Sequence, residues 1–466
     1  MDSSLYKIIH PSLHRLEDWK NSFGSFPTHP SLVIEDSKVK ETLQKLSERL
    51  TGNYPFHHPN YAGQMLKPPH PIASLAYSIT MGLNPNNHAL DGGPPSSEME
   101  KECVQALAQL FGYERSYLGH LSSSGTVANL EALWVARSLH PKKGIAHSTQ
   151  AHYTHSRMAE VLGMQAHSFR IDTERSLQEE LDALPVDSIG TLVVTMGTTG
   201  LGKVEPLSDI LNWALPKGIR IHIDAAYGGF FKIISSSLPD STVHWERMHE
   251  ADSIVIDPHK HGLQPYGCGC VLFKNPEVGV FYKHDSPYTY FSSDELHLGE
   301  ISLECSRAGA AAAAFWATLE CFPLQPDHGF GPILTACHRA ATKADTYLNS
   351  SEVLHSYVPP ELDIISYFAA EKNAPVSTYS ISERSKKIFH QGMNHNTPSQ
   401  QYFVSLYTQN SQDFSRKFPD IMVDSDQVVL LRSVLMRPEQ EYTIEDLLFR
   451  IETDAKSFLS PFVRIM

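Results

Sequence analysis

Between about residue 115 and residue 275, short apolar runs alternate with helix-like segments, and this alternation constrains the chain more than any other feature. The runs are "SYLGHL", "GTLVVTM", "IRIHID", "DSIVID" and "CVLF". Between most of them lie "TVANLEALWVARS", "THSRMAEVLG", "LSDILNWAL" and "WERMHE". Strands that alternate with helices build a mainly parallel sheet covered on both faces, so the expected fold class is α/β.

In such a sheet ligands bind just beyond the carboxyl ends of the strands, which makes the residues after each run the candidates for a site. After "YLGHL" come Ser122, Ser123, Ser124, Gly125 and Thr126, opening a helix whose free N–H groups suit a phosphate. After "TLVVTM" come Gly197, Thr198 and Thr199; after "IRIHI" comes Asp224, with the small Ala225 and Ala226 behind it. After "SIVI" comes Asp257-Pro258-His259-Lys260. Singly these have ordinary explanations: a helix cap, or a lysine in solvent. Together, a phosphate cradle, a carboxylate and a lysine on neighbouring strand ends fit pyridoxal 5'-phosphate. The lysine amine forms a Schiff base with the aldehyde, and the carboxylate keeps the pyridine nitrogen protonated.

Two rivals compete for the same stretches. His259, His261, Cys268 and Cys270 suggest a metal site, but the cysteines are one residue apart and no second pair lies nearby. "YGCGCVLF" therefore reads as a turn and the start of a strand with buried thiols, and no metal is expected. "GTTGLGK", residues 197–203, matches part of a P-loop, yet Val204 stands where a magnesium-binding hydroxyl belongs. A nucleotide-binding protein is the remote alternative.

Outside the alternating region, Leu43, Leu46 and Leu50 share one face of an N-terminal helix that Gly52 ends. "SEMEKECVQALAQLFGY" predicts an amphipathic helix, with Ser97 and Glu100 as its capping box. An alanine-rich helix is expected near 307–320. Beyond it "LDIISYF", "VVLLRSVLM" and "TIEDLLFRIETDAKSFL" predict a smaller α/β unit. The expected division is a helical arm over 1–65, a large α/β domain over 66–330 and a small C-terminal α/β domain over 331–466.

Charge and composition exclude other classes. A net charge of −14 without a basic stripe argues against nucleic acid or an anionic membrane as the partner. No apolar stretch reaches membrane-spanning length, and the first residues lack a signal pattern, so a cytoplasmic location with reduced thiols is expected. The 25 histidines gain meaning only from position.

"SSSGT", "AHYTHS", "TMGTTG", "HIDAAYGG" and "DPHK" occur in the order and spacing of the group II pyridoxal-phosphate decarboxylases, which the chain resembles from "HPNYAGQM" to "LLRSVLMRP". The resemblance to these tyrosine, aspartate, aromatic amino acid and glutamate decarboxylases implies a fold-type I large domain with a seven-stranded sheet. It also implies a homodimer whose sites are completed by the partner's loop. Lys260 is then the Schiff-base lysine and Asp224 the partner of the ring nitrogen. His152 would stack on the ring and serve proton transfer, while Gly125, Thr126 and His259 would hold the phosphate. Thr199 would lie near the ring and Ala226 beneath it.

The implied activity is α-decarboxylation of an L-amino acid to an amine. Many relatives carry a proton-donating tyrosine on a loop after the lysine strand. Here its place falls near His297, with Tyr288 and Tyr290 earlier, so a histidine or a tyrosine could be the acid. Without such an acid, oxidative decarboxylation-deamination to an aldehyde is the alternative. His57, His58, Tyr61 and Gln64 are the candidates to line a substrate pocket. An aromatic, tyrosine-like substrate is favoured over an acidic or diamino one.

Overall fold

The structure, a computed structural model, describes residues 3–113, 116–171, 173–283, 302–371 and 375–459. A seven-stranded sheet forms its centre, built from β1 (Leu118–Ser122), β2 (Gly144–Ser148), β3 (Ala166–Phe169), β4 (Ile189–Thr195), β5 (Arg220–Asp224), β6 (Ser253–Ile256) and β7 (Gly269–Phe273). Their order is β1-β7-β6-β5-β4-β2-β3. From β6 to β3 every pairing is parallel, and β7 runs antiparallel to both of its neighbours, β6 and β1. Every residue of β4 is buried, which suits its β-branched run between helices on both faces.

The five apolar runs correspond to β1, β4, β5, β6 and β7. Two strands, β2 and β3, carried no such signal. β2 is "GIAHS", short and half polar, and β3 is an edge strand with three of its four residues at least partly exposed.

A four-stranded antiparallel sheet follows: β8 (Leu354–Val358), β9 (Ile364–Ala369), β10 (Ser405–Asn410) and β11 (Gln427–Val434), in the order β10-β11-β9-β8. Arg432 of β11 joins it to the larger sheet. Its guanidinium donates to the carbonyl oxygens of Thr199 (2.6 Å), Gly200 (2.8 Å) and Gly63 (3.3 Å) and to Ser405 Oγ (3.0 Å). Lys67 is likewise buried, with Nζ on the Met436 carbonyl at 3.1 Å.

One helix begins earlier than its capping signal predicts. It spans Pro94–Leu110, because Pro94 and Pro95 suit the first helical positions and carry the start back a turn. Ser97 and Glu100 therefore lie inside the helix. Glu100 is buried and accepts from Asn87 Nδ2 (2.7 Å), from the Leu121 N–H (3.0 Å) and from Arg307. The N-terminal helix Asp36–Leu50 forms as expected and leaves Leu43, Leu46 and Leu50 exposed. Among the described residues no helix is long and apolar enough to cross a membrane.

Candidate active site

Five strand ends, those of β1, β2, β4, β5 and β6, converge on one cavity of about 260 Å³. Its wall includes Gly125, Thr126, His152, Thr199, Asp224, Ala226, His259 and Lys260, so the residues singled out for a cofactor all face the same space.

The first wall is the turn after β1. Ser124 is extended and caps the helix Gly125–Leu139, accepting from the Val127 N–H at 3.3 Å. Gly125 is required there by space: a Cβ would stand 2.5 Å and 2.7 Å from the Asp257 carboxylate oxygens.

The second wall is the end of β5. Asp224 is buried, with Oδ2 accepting from His155 Nε2 at 2.8 Å and Oδ1 from the Ala226 N–H at 3.1 Å. Burial alone would push this carboxyl up. The hydrogen bond and charge of His155, the Lys260 ammonium and the Ala226 N–H together hold it well below the usual carboxylate range.

The third wall follows β6. Lys260 Nζ lies 3.1 Å from Asp257 Oδ2, and Asp257 Oδ1 is buried without a hydrogen-bond partner among the described residues. His259 is fixed by Nδ1 on the Cys268 carbonyl at 2.7 Å and by its ring against Tyr266, with centroids 4.9 Å apart. Burial lowers its proton affinity.

The fourth wall is the loop after β2. His152 Nδ1 lies 2.7 Å from Thr154 Oγ1 and accepts the Thr154 N–H at 3.2 Å, which leaves Nε2 as the ring position for a proton. Burial lowers its pKa, and Lys260 adds to the effect while Asp224 opposes it.

Other candidates fall elsewhere. His57, His58, Tyr61 and Gln64 are not in the cavity wall. Tyr61 is packed against Phe56 and Phe403, and the other three side chains are exposed. His297, Tyr288 and Tyr290 lie outside the described residues.

The rivals to a cofactor site lose their footing. Cys268 and Cys270 are buried in the core at the start of β7, where burial pushes both thiols up. Among the described residues no group of three or more metal-ligating side chains could hold an ion. "GTTGLGK" is a closed turn: the N–H groups of Gly197 and Thr198 bond the Lys203 carbonyl, and that of Gly202 bonds Thr198. Lys203 pairs with Glu361 at 2.9 Å. Those three amides are therefore engaged within the turn itself.

Sequence reasoning missed His155, whose partner lies 69 positions away, and Asn129, which lines the cavity. Neither carries a local signal; only the pairing of distant strands brings them in.

The residues present suit pyridoxal phosphate. A lysine amine and a buried carboxylate line one cavity, the glycine at the helix start admits no side chain, and Asp257 Oδ1 has acceptor capacity to spare. A larger cavity of about 640 Å³ adjoins this one and shares His152, Tyr153 and Thr199 with it.

Residues 41–341 match the model of the pyridoxal-dependent decarboxylase conserved domain. The chain is 30% identical to the L-aspartate decarboxylase of Thermococcus kodakarensis, over 60% of this chain and 72% of that protein. It is 25% identical to the L-tyrosine decarboxylase of Enterococcus faecium, over 93% of this chain and 90% of that one. The crystal structure of Oryza sativa TDC with PLP and tryptamine shares the fold, with a TM-score of 0.76 at 14% identity and 99% of each chain covered.

Proposed function

Because the chain belongs to the pyridoxal-dependent decarboxylase family, an amino acid carboxy-lyase family that works with pyridoxal 5'-phosphate, we propose the following assignment of its residues and substrate. Lys260 holds the cofactor's aldehyde carbon, and Asp224 holds a proton at the ring nitrogen. Gly125, Thr126 and His259 bind the phosphate. Ala226, His152 and Thr199 line the same cavity and would hold the ring. The single observation that carries this assignment is the convergence of all eight residues on one cavity wall.

Bound there, the cofactor supplies an electron sink for the bond between Cα and the departing carboxylate. The protein's own contribution is orientation and charge placement. His152 lines the cavity with Nδ1 engaged by Thr154, so Nε2 is the atom at which it would move a proton. The acid that completes the amine is assigned to the 284–301 segment, at His297 or at Tyr288 or Tyr290.

The substrate is a tyrosine-like aromatic amino acid. The adjoining cavity offers Tyr153, Tyr357, Tyr407 and Leu201. Two of its cations are already neutralised, Arg170 by Asp413 and Lys203 by Glu361, which disfavours a second substrate carboxylate. Purified protein loaded with pyridoxal phosphate should release carbon dioxide and the matching amine from an aromatic amino acid. Preference for aspartate would overturn the substrate assignment and point to Lys417 on that wall. Aldehyde with peroxide would establish the oxidative alternative.

A further inference from the structure

His155 reaches Asp224 from the protein interior. It lies in the helix Thr154–Val161, is fully buried, and does not line the cavity. A carboxylate only accepts, so the 2.8 Å contact requires a proton on Nε2. Among the described residues its buried Nδ1 has no hydrogen-bond partner, so Asp224 is the group this imidazole engages.

The surroundings leave His155 no other task. His147 of β2 and His222 of β5 stand with ring centroids 6.3 Å and 6.1 Å away. His147 is engaged by the Ser148 carbonyl and Ser156 Oγ, and His222 by Ser253 Oγ and Asn129 Oδ1. Burial lowers His222 to about 3, so it adds no charge at neutral pH. Glu205 lies beyond Asp224, while Lys260, Asp257 and His152 face it across the cavity.

We propose that His155 is a positioning residue for Asp224: its Nε2–H fixes the carboxylate and weakens its hold on a proton, so that a proton shared with the pyridine nitrogen resides on the nitrogen. This rests on the reading of Asp224 as the ring-nitrogen partner. The interaction bears on the cofactor's electron demand and not on substrate capture, so it acts on kcat and leaves KM nearly unchanged.

The test loads wild-type protein and the variants His155→Leu, His155→Gln and Asp224→Asn with pyridoxal phosphate carrying nitrogen-15 in the ring. Wild type should show a protonated ring nitrogen. His155→Leu should move the resonance towards that of a neutral pyridine and lower kcat about tenfold or more, the order expected for one lost hydrogen bond to a charged group. His155→Gln, whose amide can donate to Asp224, should recover most of both. A ring nitrogen equally protonated in His155→Leu, or a Gln variant no better than Leu, overturns the proposal. Should the Leu variant fail to fold, the wild-type imidazole decides: a bare His155 Nε2, assigned by comparison with the Gln variant, also overturns it. A wild-type ring nitrogen that is unprotonated, or unchanged in Asp224→Asn, defeats the reading of Asp224 itself. A signal that responds to Asp224→Asn but not to His155→Leu defeats only the role of His155.

Discussion

His261 Nε2 lies 3.2 Å from Asp363 Oδ2, with both side chains fully buried. His261 follows Lys260 directly, and Asp363 immediately precedes β9, so one buried contact ties the lysine loop to the smaller sheet. Asp363 also accepts from the Tyr227 hydroxyl at 2.5 Å. Burial pushes Asp363 up, but His261, Tyr227 and Lys67 bring its carboxyl below the ordinary value. Asp363→Ala leaves the buried Tyr227 hydroxyl and His261 without their carboxylate, a loss of about 1–3 kcal/mol. Chemical denaturation should show a lower midpoint; an unchanged midpoint would mean that the pair contributes nothing.

Lys260→Ala should abolish turnover and the visible absorbance of the lysine-linked cofactor, with the fold retained by circular dichroism. Full activity in this variant would refute the assignment of the lysine.

Gly125→Ala should weaken cofactor binding. The new methyl meets the Asp257 carboxylate at 2.5 Å, so the Asp257–Lys260 pair must shift. Overpacking of this kind costs roughly 1–3 kcal/mol, which corresponds to about tenfold or more in affinity. Fluorescence titration with pyridoxal phosphate reads this directly, and wild-type affinity in the variant would remove the steric argument.

Glu205 gives a pH dependence with a defined sign. Burial pushes its carboxyl from 4.5 to about 7, against hydrogen bonds from Ser148 and the Thr195 N–H. Between those values the folded protein keeps a proton that the unfolded chain has released. The contribution is therefore fully present below 4.5 and is lost as pH rises through about 7. Glu205→Gln, a neutral isostere, should gain stability relative to wild type as pH is raised from about 5 to about 8. Parallel stability curves across that range would show that Glu205 does not titrate there.

A homodimer is expected to cover the exposed face of the helix Asp36–Leu50, where Leu43, Leu46 and Leu50 stand 56%, 51% and 55% exposed. Changing all three to Ser should shift sedimentation towards the monomer at micromolar concentration. A wild-type monomer, or a dimer indifferent to the change, would place the interface elsewhere.

The central sheet was legible because β4, β5 and β6 are buried and rich in Ile, Leu and Val. β2 was not, since its Ala, His and Ser fill a crowded interior with little hydrophobic signal. Asp224 was legible because it ends β5, and Lys260 because it lies in the short turn that follows β6. The partners of His155 and His261 were not legible for the opposite reason: each meets a carboxylate far along the chain, and the metal reading of His261 did not include Asp363. The early start of the helix Pro94–Leu110 shows two prolines overriding a plausible Ser–Glu cap.

The antiparallel insertion of β7 between β1 and β6 sets an order of events during synthesis. Leu118 pairs with Phe273, so β1 emerges from the ribosome long before its hydrogen-bonding neighbour exists. At roughly 5–20 residues per second, the delay is on the order of ten seconds or more. The Ser124–Thr126 turn hangs from β1 and acquires its final position only when β7 arrives. By then β4, β5 and β6 are already available to pair with one another. The nascent chain can thus place Asp224 before the Ser124–Thr126 turn, and the cavity that both line is complete only once β7 is in place.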